Sequence, residues 1–281
     1  MEPRWPFWRP GPGSLDGLTR RRGNGLLRLL HVGGEPVVVA VSGPVFAARA
    51  ASEEAAREGI ARMRFATGID DDLAAFHERF RDDPVIGRAV RARPWLRVRR
   101  NPTPWETLAW AITEQLIDMQ RATGIQKRMI RAFGPRLGAL RDSPDAATIA
   151  ARAPAELDAC GLHPKRSLAM IRAARTGSLD ERRLLAIPEI GTWTVEMLAL
   201  HGFGRLDVVP AGDLGYLKLV GRLTTGNPRA IADEAEVRGF FADYAPWAGL
   251  AAQYLIRGPR LRAPHRAGTH WSAAAPPRAA A

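Results

Sequence analysis

Two short segments hold the groups with the most specific chemistry. The first is Ile187-Pro188-Glu189-Ile190-Gly191-Thr192-Trp193-Thr194, between one helical pattern ending near Leu185 and another opening at about Thr192. A glycine at a helix start lets the backbone approach a ligand closely. The free N–H groups of that first turn point at an anion, and the helix dipole favours negative charge there. Ile190, Gly191, Thr192 and Thr194 are therefore candidate phosphate-binding positions, and a DNA phosphate suits them without any base contact. A Pro-x-x-Gly turn between helices is, equally, an ordinary connection. The second segment lies 22 residues past Gly191: Val208-Val209-Pro210-Ala211-Gly212-Asp213-Leu214-Gly215-Tyr216. Pro210 and Gly212 fix a tight entry, and Asp213 sits where a new helix begins. By position alone its carboxylate is an N-cap.

The elements that hold these segments are mostly helical. Thr103-Pro104-Trp105-Glu106 is a capping box with proline at the first helical position. Trp105, Leu108, Ala109, Ile112 and Leu116 follow at helical spacing. Further helices are expected around 122–133, 144–151, 165–175, 192–201, 214–223, 228–243 and 246–257, separated by glycines and prolines. Upstream, Leu26–Val32 and Pro36–Ser42 read as a β-hairpin around Gly33-Gly34-Glu35. A helix over 51–69 ends at Gly68, and Asp70-Asp71-Asp72 can cap another running through Phe80. Residues 88–100 hold six arginines and Pro94 and read as a connecting surface. The fold class is mostly α with a small N-terminal α+β domain. Its expected parts are a flexible arm (1–20), the α+β domain (21–70), a helical region with two lobes around a cleft (71–257) and a disordered basic tail (258–281).

Composition bounds the function. The 281 residues carry 41 basic and 29 acidic side chains, a net charge of +12, which points to a polyanion such as nucleic acid. All but Lys127, Lys165 and Lys218 of the basic residues are arginine, and a solvated basic surface is the plain alternative. The longest aliphatic run, Val37 to Val41, is far short of a membrane span. The proline- and arginine-rich N-terminus does not read as a signal peptide. Cys160 is the single cysteine, so an internal disulfide, a cysteine-rich zinc site and a four-cysteine iron–sulfur cluster are excluded. A cytoplasmic monomer, associated with the nucleoid and not with a membrane, is expected.

Taken together, the hairpin, the helix after it and Asp213 in its loop resemble the helix-hairpin-helix glycosylase superfamily, whose signature is a Pro-Gly-(Ile/Val)-Gly hairpin, a helix and then an aspartate. More closely, they resemble the DNA-3-methyladenine glycosylase II family. The stretches around Leu26–Ser42, Ile112-Thr113-Glu114-Gln115-Leu116-Ile117, Gly161-Leu162 through Ile171 and Trp247 extend the likeness over roughly residues 20–257. The resemblance implies excision of alkylated bases from double-stranded DNA in base excision repair, by base flipping. Such a base already carries positive charge and leaves readily, so one carboxylate facing the developing sugar cation suffices; the resemblance assigns that role to Asp213. Relatives that also cut the strand carry a Schiff-base lysine at the position of Trp193, so this chain reads as monofunctional. No organic cofactor and no side-chain metal site are implied, though the superfamily's hairpin can hold a monovalent cation on backbone carbonyls.

The base pocket is expected to draw on Trp193, Gln115, Tyr216 and Met197, each with a second reading. Trp193, Met197 and Leu200 also fit a core stripe. Gln115, one heptad past Leu108, suits a buried hydrogen bond to backbone better than a DNA contact. Tyr216 fits a surface aromatic equally well. The sequence departs from the hairpin signature at Glu189, an acid in place of the first glycine. The rival function is a non-catalytic helix-hairpin-helix DNA-binding protein, which has no need of Asp213.

Overall fold

The computed structural model describes residues 17–23 and 25–257; most of the expected arm and all of the expected tail lie outside the described residues. Four strands, β1 (Thr19–Arg22), β2 (Gly25–Val32), β3 (Glu35–Ser42) and β4 (Val45–Arg49), form an antiparallel meander in chain order. β2 and β3 meet at Gly33-Gly34, with φ of 58° and 85°. A two-residue hairpin of this kind needs positive φ at both central positions, which glycine adopts without strain. The sequence pattern predicts only this central pair. β1, an arginine run beginning inside the expected arm, and β4, entered through Gly43-Pro44, gain their order from pairing with β2 and β3. α1 (Glu53–Thr67), capped by Ser52 and ended by Gly68 at φ 64°, seals Met63 and Ala55 against Leu30, Val37 and Val39.

The rest is helical. α2 (Ala74–Phe80) and α3 (Gly87–Ala92) lead to α4 (Pro104–Glu114) and α5 (Met119–Phe133). After a two-residue pair of strands, β5 (Arg136–Leu137) and β6 (Leu140–Arg141), come α6 (Ala146–Ala150), α7 (Pro154–Ala159), α8 (Pro164–Thr176) and α9 (Glu181–Leu185). α10 (Thr192–Met197) runs into a π turn, Leu198–Gly202, and α11 (Leu214–Thr225), α12 (Glu234–Ala242) and α13 (Ala248–Arg257) complete the fold.

Two helical cores result. One gathers apolar residues of α4 through α10; the other gathers α2, α3 and α11 to α13. Leu198 belongs to the first and Leu200 to the second, so the π turn is where the chain, having entered the first lobe at α4, returns to the second. Such turns widen the helix by one residue and recur at functional positions.

Two expectations fail here. Residues 88–100 are not simply surface: α3 lies within them, Val90, Leu96 and Val98 are core, and Arg100 is buried on Asp71 at 2.8 Å. The helix from Pro104 stops at Glu114, so Leu116 is not on its apolar face but fully exposed, at φ 53°. Asp118 caps α5 by accepting from the Arg121 N–H, and this competing helix start imposes the break.

The sheet is tied to the helices by buried charge. Arg28 of β2 donates to Glu106 of α4 at 2.6 Å and to Asp142 at 3.3 Å. Ser143 Oγ donates to the same Glu106 oxygen, and the His31 N–H to Asp142.

Candidate active site

The hairpin joins α9 to α10. Its turn closes with Ile187 N–H on Leu184 and Ile190 N–H on Ile187, at 3.0 and 3.1 Å. Ile190 is buried in the α4–α10 core. Gly191 is the N-cap residue of α10, at φ −104° and ψ −178°. Its carbonyl accepts from the N–H groups of Thr194 and Val195. The outward positions are thus Gly191 and Thr192, both exposed, with open space where a Cβ on Gly191 would stand. Ile190 and Thr194, also expected at the phosphate, turn inward: the Ile190 N–H closes the hairpin turn and the Thr194 N–H closes the first turn of α10.

Gln115 shows why Thr194 is buried. Its amide nitrogen donates to the Glu189 carbonyl at 2.8 Å and to Thr194 Oγ1 at 2.9 Å, tying the end of α4 to the hairpin. Of the two readings of Gln115, the hydrogen bond to backbone is the one present, although the contact is not deeply buried. Glu189 has φ 74°, the left-handed region that favours glycine. Its carboxylate lies 3.8 Å from Lys165 Nζ at the start of α8.

Asp213 caps α11. Its Oδ1 accepts from Gly215 N–H at 2.7 Å, and its own N–H donates to Pro210, closing the tight entry. Oδ2 accepts no hydrogen bond from a described residue. The carboxylate is half-buried. Two residues bracket the loop: a Cβ on Gly212 would lie 3.6 Å from the Trp193 Cβ, and one on Gly215 would meet Ile256 at 2.9 Å. The indole Nε1 of Trp193 is buried with no hydrogen-bond partner. Trp193 and Met197 are half-buried and join neither core cluster, whereas Leu200 does.

Tyr216 lies deeper, 4% exposed, accepting from the Gln253 amide at 2.7 Å and packed edge-on against Phe241. It underpins the start of α11 rather than offering a ring face to solvent, and burial pushes its phenol above the usual range. Glu114, at the end of α4, senses the Asp213 charge. Burial pushes its carboxyl up, the Gln126 amide and Arg99 draw it down, and the Asp213 charge adds to the upward push.

Two features escape the sequence pattern. Leu116 stands fully exposed beside Gln115, and Asp118 as an N-cap is the signal that could have found it. Glu196, buried on α10, accepts from the Ala211 N–H at 3.2 Å, a tertiary contact with no local signature. Among the described residues, no group of three or more His, Cys, Asp or Glu is placed to hold a metal ion, and no helix is long and apolar enough to cross a membrane.

A four-stranded meander on two helical lobes, with hairpin and aspartate at their crossing, is the helix-hairpin-helix DNA glycosylase fold. A 3-methyladenine DNA glycosylase from Archaeoglobus fulgidus superposes with a TM-score of 0.71, over 86% of this chain and 89% of that one, at 19% identity. In sequence, the chain resembles the DNA-3-methyladenine glycosylases. The Bacillus subtilis DNA-3-methyladenine glycosylase is 26% identical over 208 residues, 67% of this chain and 68% of the relative. A probable bifunctional transcriptional activator/DNA repair enzyme of Mycobacterium tuberculosis is 29% identical over 210 residues, 69% of this chain. The match spans 41% of that relative's length. No protein-family model matches the chain.

Proposed function

We propose that the protein is a monofunctional DNA glycosylase that excises alkylated bases of the 3-methyladenine type from duplex DNA, acting as a monomer at the nucleoid. The observation that carries this reading is Asp213: one oxygen caps a helix while the other accepts no hydrogen bond from a described residue, in a loop whose Gly212 packs on the Trp193 Cβ two residues after Gly191. A pure binding module has no use for that second oxygen.

In this reading Gly191 and Thr192 hold a backbone phosphate, and the arginine-rich surface supplies the rest of a sequence-independent affinity. The target nucleotide leaves the stack, and Leu116, an apolar side chain with no protein neighbour, takes the vacated space. The extruded base meets Trp193, with Met197 and Ile256 nearby. The N-glycosidic bond breaks with its electron pair leaving on the base. The sugar cation is stabilised by Asp213, and water adds at the anomeric carbon and loses its proton. An indole cannot form an imine, so Trp193 leaves the strand intact. The turn carbonyls of Ile187 and Glu189 each accept one hydrogen bond and keep a lone pair for a monovalent cation, on which no step depends.

The test is incubation with methylated duplex DNA, followed by alkali. Strand breaks should appear only after alkali, and borohydride should trap no protein–DNA adduct. Absence of alkali-labile sites, or an adduct on Lys165 or Lys218, would overturn this reading.

A further inference from the structure

The loop carrying Asp213 is held from α10 by a carboxylate that the chemistry does not otherwise use. Glu196 is 8% exposed and lies one helical turn past Trp193. Its Oε2 accepts from the N–H of Ala211, two residues before Asp213, at 3.2 Å. Its Oε1 accepts from the Arg238 guanidinium of α12, and Arg238 also reaches Glu234 at 3.3 Å. Glu234 in turn closes on the loop: its Oε1 would lie 3.0 Å from a Cβ on Gly212. Ala211 itself has no exposed surface. Gly212 is thus held between Glu234 and Trp193, with the loop's backbone donor pinned by Glu196.

We propose that Glu196 is a positioning residue for Asp213: through Ala211 it fixes the distance between the carboxylate loop and the helix that follows the phosphate-binding hairpin. The proposal rests on the role given to Asp213 above. Its physical basis is that Glu196 and Trp193 share α10 while Ala211 and Asp213 share one tight turn. One hydrogen bond therefore sets both where the base stacks and where the negative charge stands. A carboxylate is a stronger acceptor than a neutral group. Arg238 fixes which way it faces, and a displacement of about 1 Å at a reacting centre can cost on the order of 100-fold in rate.

The experiment compares Glu196→Leu, Glu196→Gln and Arg238→Leu in the full chain. Three quantities are read: single-turnover excision on methylated duplex DNA, Kd for undamaged duplex, and Tm. Glu196→Leu should lower the excision rate roughly 10- to 100-fold while Kd stays within about threefold, because the phosphate contacts lie elsewhere. Glu196→Gln keeps an oxygen for the Ala211 N–H and should restore most of the rate. Arg238→Leu releases the carboxylate from its half-exposed side and should give a smaller loss of the same kind, which keeps the idea testable if Glu196→Leu does not fold. In an Asp213→Asn background, Glu196→Leu should cost nothing further, since residues acting as one unit are non-additive. Unchanged excision in Glu196→Leu, or in Arg238→Leu where the former is unfolded, overturns the proposal. So does an equal fall in rate and affinity. If Asp213→Asn itself excises normally, it is the parent reading of the site that fails.

Discussion

The two ends of α4 carry polar clusters built on opposite rules. At its start, buried Arg28, Glu106 and Asp142 and half-buried Ser143 are bonded to one another, with His31 joining from the sheet and the Arg28 Nε left without a hydrogen-bond partner. About 12 Å along the axis, at 1.5 Å per residue, the helix ends at Glu114 and Gln115. There the neighbourhood holds groups without partners among the described residues: the outward side of Gly191, Oδ2 of Asp213, Nε1 of Trp193 and the exposed Leu116. A polar group buried in a fold is normally satisfied. One end closes its charges almost wholly on one another, as a joint between sheet and helices must. The other leaves more groups open, as the proposed DNA-facing site requires, and Glu189 and Leu116 add positive-φ backbone there.

The largest expected effect breaks the closed end. Arg28→Leu would leave Glu106 and Asp142 buried without their shared cation. Removing one partner of a buried ion cluster costs about 3–5 kcal/mol. Urea or thermal denaturation should show a loss of that order, with DNA affinity and excision little changed per folded molecule. A loss well below ~1 kcal/mol would mean that the joint is already hydrated and the contrast with the cleft is false.

Next comes the open end. Asp213→Asn keeps an oxygen for the Gly215 N–H, and Asn ranks with Asp as an N-cap, so stability should move by well under ~1 kcal/mol. On the proposed mechanism it removes the negative charge that stabilises the sugar cation, and loss of one preorganised stabiliser typically costs roughly 100-fold or more in rate. Excision should nearly vanish, and binding to undamaged duplex should hold or tighten. Near-normal excision would reduce Asp213 to a cap and send the search to Glu114.

The two ends also differ in how far the sequence discloses them. Gly191 and Asp213 could be found because a hairpin and an N-cap are local: each is written in consecutive residues. The Gly33-Gly34 turn and the Gly68 stop were legible for the same reason. The closed end left no such trace, since Arg28, Glu106 and Asp142 are 78 and 36 positions apart in turn and an arginine inside a strand predicts exposure. Glu196 escaped likewise, its partner lying 15 residues on across a turn. Leu116 was misplaced because helical spacing extends past Glu114 in the sequence, while Asp118 restarts the helix in the fold. Tyr216 illustrates the remaining case: an aromatic two residues into a helix shows no sign of which side the later helices of its own lobe will cover.

A third effect sharpens the open end without disturbing the fold. Gly191 is extended rather than left-handed, and a Cβ there meets nothing. Gly191→Val should therefore change Tm little, since valine narrows the unfolded ensemble but is a poorer N-cap than glycine. The new side chain would stand between the N–H groups and a phosphate. Binding should weaken about tenfold on every duplex sequence, and the slope of log K against log salt should become shallower by about 0.9, the share of one phosphate. A stability loss with intact binding would assign Gly191 to the turn alone.

The smallest effect concerns Glu189, where the hairpin departs from the glycine its geometry favours. A non-glycine residue at left-handed φ costs about 1–2 kcal/mol. Against relieving it stand the extra chain freedom of glycine, roughly 0.5–1 kcal/mol, and the partly exposed pair with Lys165, worth about 0–1 kcal/mol. Glu189→Gly should thus shift stability by between about −1 and +1.5 kcal/mol, upward where relief of the strained φ outweighs the other two. Glu189→Gln, which keeps the strained φ, should not gain. Both remove a negative charge beside the anion site and release Lys165. Both should therefore tighten binding to undamaged duplex several-fold, with the salt slope steeper by up to about 0.9 if Lys165 reaches a phosphate. The pair of variants separates the two roles: a gain in stability confined to glycine reads the backbone, and a gain in affinity common to both reads the charge. If neither variant changes affinity or salt slope, the Glu189–Lys165 pair lies off the DNA face, and the open end of α4 is narrower than its geometry implies.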